Sequence, residues 1–155
     1  MSVTTPESLV SIGVSAFGAQ GSSGNYPTSY TQCRNLKSVH IKGAPTIGDM
    51  AFFYCPIETL VIDGWKKGTT STSNGTNAFA AAAITSVTLG EGVEYIGMAA
   101  FERSPVESIV LPSSLVEIAS YAFRRTTALE SLTFADPAPV SYTHLRAHET
   151  DSYLV

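Results

Sequence analysis

Catalysis usually requires several reactive side chains in a recognisable combination, and the sequence of this 155-residue chain shows no such combination. A nucleophilic cysteine or serine works beside a base and a group that orients the base. The sequence has no Gly-x-Ser-x-Gly, no phosphate-binding glycine loop, no dinucleotide fingerprint and no His-Glu-x-x-His. The carboxylates of Glu58, Glu107 and Glu130 recur at equivalent outward positions, a repeat or more apart, which indicates a solvated rim. We therefore expect no enzyme and no cofactor.

The two cysteines, Cys33 and Cys55, fall at the same position of successive sequence repeats. Adjacent strands lie about 4.8 Å apart, which satisfies the Cα separation of a disulfide. The simpler interpretation, which the sequence favours, is two stacked free thiols acting as small buried apolar groups. Other copies of the repeat place other small residues at this position, namely Ala82, Ser104 and Thr126.

His144 and His148 are four residues apart and stand next to Glu149, a spacing that could place a metal pair on one face of a helix. The repeated apolar pattern that organises the rest of the chain is absent there, however. The back-translation of this stretch resembles the transposase end and adapter of a sequencing library. We interpret residues 140–155 as a non-native tail of translated adapter read-through. We therefore predict no metal site in it and no stable structure, because it has little to bury.

Aromatic and cationic side chains suggest binding rather than catalysis. Tyr26 and Tyr30 lie in one irregular segment, 18–32, and Trp65, Lys66 and Lys67 lie in another, 63–77. Aromatic side chains are enriched among the residues that dominate protein interfaces, and variable loops of repeat proteins carry much of their binding. We predict a protein-binding role for these residues; the alternative is that the segments are loops with one ring tucked onto the core.

His40 also belongs to the candidate binding set, since its neighbours Val39 and Ile41 face inward and His40 must face outward. The ordinary interpretation is a solvated surface histidine. Outward positions of the other predicted strands carry hydroxyl and β-branched side chains, which suit both a strand and a flat contact surface for an extended partner.

Composition excludes several classes of function. Only 14% of the residues are charged and the formal net charge is −4, so no basic stripe indicates a nucleic acid or an anionic membrane as partner. No apolar run reaches the ~18 residues of a membrane span. The first residues lack the cations and apolar core of a signal peptide.

A repeated phrase of apolar residues organises the chain, with a period of about 22 residues. One copy contains Val93, Ile96-Gly97, Ala100-Phe101, Ile109 and Leu111. The next copy has, at the same positions, Leu115, Ile118, Ala122-Phe123, Leu132 and Phe134. A fixed period of this length predicts stacked repeats rather than a conventional globular core.

Each copy predicts two extended segments and a turn. Alternation of the type Leu-x-x-Val-x-Ile indicates a strand with one buried face, and Val-x-x-Ile-Gly indicates a second short strand. Because Ala119 replaces the glycine of Gly13, Gly48 and Gly97, that position requires a small side chain rather than a positive φ.

The aromatic ring of each Ala-Phe pair should enter the core. Burial of about seven apolar residues at ~2 kcal/mol each does not offset the ordering of about 22 residues at ~1–2 kcal/mol each, so one repeat cannot fold alone. We predict that the rings form a single buried column of Phe52, Phe79, Phe101 and Phe123.

The phrase Ile-Gly-x-x-Ala-Phe-x-x-Cys-x-x-Leu-x-x-Val-x-Ile-Pro resembles the BspA-type leucine-rich repeat. Ile47-Gly48, Ala51-Phe52 and Cys55 carry it here, and Ile96 to Pro112 carry it again. The resemblance implies a β-rich solenoid of about five coils, with short strands and turns or brief helices, over residues 1–139. It also implies a non-catalytic, adhesin-like protein of a bacterial cell surface, and hence an extracellular location.

The sequence indicates that the repeat array is truncated at both ends. Ser2 to Pro6 matches the end of the phrase at Ser108 to Pro112, and no polar capping repeat precedes it. We therefore expect upstream and downstream repeats to be missing. The leading functional hypothesis is protein recognition, of a host or matrix protein, and the alternative is a structural spacer that presents a separate domain.

Overall fold

The computed structural model describes residues 1–18 and 33–135, and this part of the chain consists of strands and turns without a helix. The segments around the Ala-Phe pairs are therefore turns rather than brief helices. The strands are β1 (Ser2–Thr4), β2 (Ser11–Ile12), β3 (Ser38–Ile41), β4 (Thr46–Ile47), β5 (Thr59–Trp65), β6 (Ser86–Val93), β7 (Tyr95–Ile96), β8 (Ser108–Leu111), β9 (Glu117–Ile118) and β10 (Ser131–Phe134).

The predicted alternating segments form parallel ladders. Strands β1, β3, β5 and β6 make a four-stranded sheet in that order, and β8 pairs with β10 in a second sheet. Val39 and Ile41 of β3 are fully buried and lie opposite Leu60 and Ile62 of β5. The period of two in the sequence thus sets the inward face, as strand geometry requires.

The shorter Val-x-x-Ile-Gly segments form their own ladders, in which β2 pairs with β4 and β7 pairs with β9. The glycines that end them sit against the preceding repeat. A Cβ on Gly48 would lie 2.6 Å from the carbonyl carbon of Gly13, and one on Gly97 would lie 2.5 Å from the carbonyl oxygen of Gly75. Neither glycine has a positive φ. The requirement is close approach, in line with the prediction.

The phenylalanine rings form the predicted column. Centroid separations along it are 4.9 Å, 5.2 Å, 5.5 Å and 5.6 Å, with the planes within 12° of parallel. The rings, in order, are those of Phe17, Phe52, Phe79, Phe101 and Phe123. The middle three are fully buried, whereas the two at the ends are partly buried.

The turns that carry these rings contain residues with positive φ, which the sequence did not predict. Non-glycine residues adopt the left-handed conformation two positions before and two positions after the ring. Those before it are Ser15, Met50, Asn77, Ala99 and Tyr121, and those after it are Tyr54, Ala81, Arg103 and Arg125. Such residues cost ~1–2 kcal/mol each and persist where surrounding contacts over-determine them.

Hydrogen bonds between successive turns provide that constraint. The N–H of Phe52 donates to the carbonyl of Ala78 at 2.7 Å, and the N–H of Phe79 donates to that of Ala100 at 2.9 Å. The Phe101 N–H donates in the same way to Ala122, at 2.8 Å. Backbone N–H groups that would lack a hydrogen-bond acceptor in an isolated turn therefore find one in the neighbouring repeat.

Candidate functional site

The outward positions of the long strands line up as two columns of short, uncharged side chains. In the first column, Ser2, Ser38, Thr59 and Ser86 are direct register partners, and Ser108 partners Ser131. The second column, two residues farther along each strand, is Thr4, His40, Val61 and Thr88, with Val110 partnering Thr133. We call these two columns the outer face.

His40 is the one ionisable residue in these two columns. It is half-buried, and its Nε2 lies 2.9 Å from Oδ2 of Asp63, which follows Ile62 on β5. Lys37 and Glu58 form an ion pair just ahead of β3 and β5. This pair lies beside the first column rather than in it, and an exposed pair of this kind contributes only ~0–1 kcal/mol.

Asp63, Lys37 and Glu58 were not singled out as partners by sequence reasoning. The strand register supplies the missing information, since it places Lys37 and Glu58 side by side at the starts of neighbouring strands. Aligning the repeats by their buried residues would have revealed the opposite charges at adjacent positions.

Trp65 is a correction to the predicted set of contact residues. It is fully buried, lies in register with Val93, and packs edge-on against Phe79 at 5.9 Å and Tyr95 at 6.1 Å. Trp65 therefore occupies the apolar position that begins Val-x-x-Ile-Gly in a regular repeat. This placement agrees with the alternative interpretation, in which one ring of the segment packs onto the core, and the Trp65 ring is not available to a partner.

Lys66 and Lys67 are exposed but lie away from the outer face, beside the ladders of the short strands. Lys66 continues the β4 ladder through a parallel bridge to Thr46. The ammonium group of Lys67 lies 2.8 Å from both carboxylate oxygens of Glu117 and 5.2 Å from the centre of the Tyr95 ring. The expected positive patch is therefore partly neutralised by Glu117.

Tyr95 connects this cluster to the core. Its side chain is buried, and burial, followed by the negative charges of Glu117 and Asp49, raises the pKa of the phenol to about 12. The phenol stays neutral across the physiological range, so the cluster offers an aromatic face to the Lys67 cation rather than an acid or base.

Tyr26 and Tyr30, the remaining predicted contact residues, lie outside the described residues, as does the tail from 140 to 155. Within residues 1–18 and 33–135, no group of three or more histidine, cysteine or acidic side chains is arranged to hold a metal ion. No helix in this part of the chain has the length and apolar character needed to cross a membrane.

Comparison with known proteins identifies the repeat. A family model described as the BspA type leucine rich repeat region matches residues 1–70 and 72–147, in six copies. No curated protein and no solved structure gives a match.

Proposed function

Because the chain belongs to the BspA-type leucine-rich-repeat family, we propose that it is a non-catalytic protein-binding module of a bacterial cell-surface protein. We further propose that its repeats continue as a solenoid of about five coils and that the outer face is its main contact surface. The observation that supports this surface is the register, which aligns the outward residues in two columns across β1, β3, β5 and β6 and again across β8 and β10.

The chemistry of the outer face suits an extended protein partner. Serine and threonine hydroxyls both donate and accept hydrogen bonds, and short side chains on a paired strand lose little rotamer entropy when a partner arrives. Val61 and Val110 add apolar contact area between the hydroxyls. Interfaces are depleted of charge at their centre and polar at their rim, and the Lys37–Glu58 ion pair lies beside the columns rather than in them.

The outer face has no large side chain, so the aromatic anchors of the complex would come from elsewhere. The partner can supply them, and so can Tyr26 and Tyr30 of the 18–32 segment, which remain predicted contact residues. Lys66 and Lys67 would contribute at a separate position, with Lys67 already engaged by Glu117.

A pair of matched valine substitutions tests the proposed surface. Val110 on β8 is 53% exposed in the outer face, and Val116, which leads into β9, is 68% exposed in a different ladder. We expect Val110→Arg to weaken capture of the chain by a panel of purified extracellular-matrix proteins about tenfold or more, a change of ~1.4 kcal/mol. Val116→Arg should leave capture unchanged.

The other outcomes separate the alternatives. Equal losses in both valine variants would exclude the outer face as the contact surface. Loss confined to a Tyr26→Ser, Tyr30→Ser double variant would assign binding to the 18–32 segment. If no matrix protein captures the unmodified chain, the spacer hypothesis, in which the repeats present a separate domain, is favoured instead.

A further inference from the structure

Cys33 and Cys55 are neighbours in the fold. Cys33 precedes β3 and Cys55 precedes β5, and these two strands are adjacent in the parallel sheet, about 4.8 Å apart. Both side chains pack against the same hydrophobic cluster. The Cys33 side chain is also a hydrogen-bonding neighbour of the Cys55 thiol. Both are free thiols in this structure.

A thiol is not needed at this position for packing. The Cys55 thiol donates to the carbonyl oxygen of Phe17 at 3.3 Å, and the Ser104 hydroxyl makes the equivalent bond to the carbonyl oxygen of Phe79 at 3.1 Å. Ser104 is as well buried as Cys55. A hydroxyl therefore satisfies the same backbone acceptor, which makes serine a conservative replacement for cysteine here.

We propose that Cys33 and Cys55 form a reversible disulfide that staples two successive repeats together. The fold places the two thiols within hydrogen-bonding reach of each other, and the strands that follow them are directly paired. The bond would tie the residue that directly follows the 18–32 segment to a buried residue of the next repeat, and would so fix one end of that segment to the core.

The reaction requires an oxidant, and a small-molecule disulfide such as oxidised glutathione suffices. The half-buried Cys33 is the accessible thiol, so its thiolate attacks first and releases one glutathione thiolate. The sulfur of Cys55 then attacks the mixed disulfide at Cys33 and releases the second glutathione. Two cysteine thiols and one disulfide become one protein disulfide and two glutathione thiols, which carry the two protons.

The second step should set the rate. Burial, followed by the neighbouring Cys33, raises the pKa of the Cys55 thiol to about 12. The reactive thiolate is therefore scarce at neutral pH and becomes more abundant as the pH rises. Closure of the mixed disulfide should accelerate with pH for this reason.

The test uses the full chain, reduced and then incubated with oxidised glutathione without denaturant. We expect both thiols to disappear from a thiol titration, the intact mass to fall by two hydrogen atoms, and peptide mapping to join Cys33 to Cys55 within one chain. The urea midpoint should then shift upward, because a relaxed cross-link restricts the unfolded chain.

Cys55→Ser is the matched control, since its hydroxyl can keep the bond to Phe17. This variant should retain one stable glutathione at Cys33, whereas Cys33→Ser should react slowly or not at all. The proposal is overturned if the unmodified chain keeps its thiols, carries glutathione without closing the bond, or cross-links only between chains. It is also overturned if closure lowers the urea midpoint.

Discussion

The repeat array has a turn side, formed by the turns that carry the phenylalanine rings, and a strand side, formed by β1, β3, β5, β6, β8 and β10. The two sides differ in how continuously successive repeats are joined. On the turn side, five phenylalanine rings stack at 4.9–5.6 Å from Phe17 to Phe123. The backbone N–H groups of the first four ring residues donate to carbonyl groups of the following repeat at 2.7–2.9 Å. Neither the rings nor these hydrogen bonds are interrupted where the spacing of the repeats lengthens.

On the strand side, the ladder breaks between β6 and β8. The four-stranded sheet ends at β6, and β8 pairs only with β10. Val87 and Leu89 of β6 are partly exposed, whereas Ile109 and Leu111 of β8 are buried. The inward residues of β6 thus lose some of the cover that equivalent residues receive in other repeats.

A bulge interrupts the regular β5–β6 pairing beside this break. Gly90 and Glu91 together oppose the single residue Asp63 in the β5–β6 ladder, between the pairs Ile62–Leu89 and Gly64–Gly92. A bulge of this kind bends the strand that carries it and increases the local twist. The turns thus maintain the stack through irregular repeats, whereas the strand side tolerates variation at the proposed contact surface.

The largest effect should come from removing a ring in the middle of the turn side. Phe101→Ala deletes a fully buried ring that stacks on both neighbours, and we expect it to lower the free energy of unfolding by ~3–5 kcal/mol. Urea unfolding followed by circular dichroism measures this change. Val110→Ala, at an exposed strand position, should change it by less than ~0.5 kcal/mol. A loss below ~1 kcal/mol for Phe101→Ala would show that the column does not hold the repeats together.

The strand side should show an intermediate and uneven response. Leu111→Ala removes a fully buried side chain and should cost ~2–5 kcal/mol. Leu89→Ala, at the equivalent inward position beside the break, should cost about half as much or less, because part of that side chain already contacts water. Hydrogen exchange at β8 backbone amides should also be faster than at β5. Equal costs and equal protection would mean that the ladder is continuous in solution.

The sequence predicts those features of the fold for which one type of side chain recurs at a fixed position of the repeat. The rings, the alternating strands and the small residue before each turn all follow from burial and close approach, and each recurs at a fixed spacing. The positions with left-handed backbone could not be predicted, because Met50, Tyr54 and Arg103 share no propensity for that conformation. Hydrogen bonds to the next repeat impose it instead. The sequence left the position of Trp65 open because it follows Ile62 by three residues, whereas Val93 follows Leu89 by four; the bulge in the β5–β6 ladder absorbs this difference and brings Trp65 into register with Val93.

Glycine substitutions should give the smallest effects and separate close approach from backbone conformation. A Cβ at Gly97 would meet the carbonyl oxygens of Gly75 and Asn74 at 2.5 Å and 2.6 Å, so Gly97→Ala should cost ~1–3 kcal/mol through backbone displacement. At the equivalent Gly13, a Cβ would meet nothing within 4 Å. Gly13→Ala should therefore stabilise the chain by ~0.4–1 kcal/mol, through a less flexible unfolded state. Urea midpoints of the two variants measure both changes. If both variants were destabilised equally, the shared requirement would be conformational, and the tolerance of Ala119 at this position would need another cause.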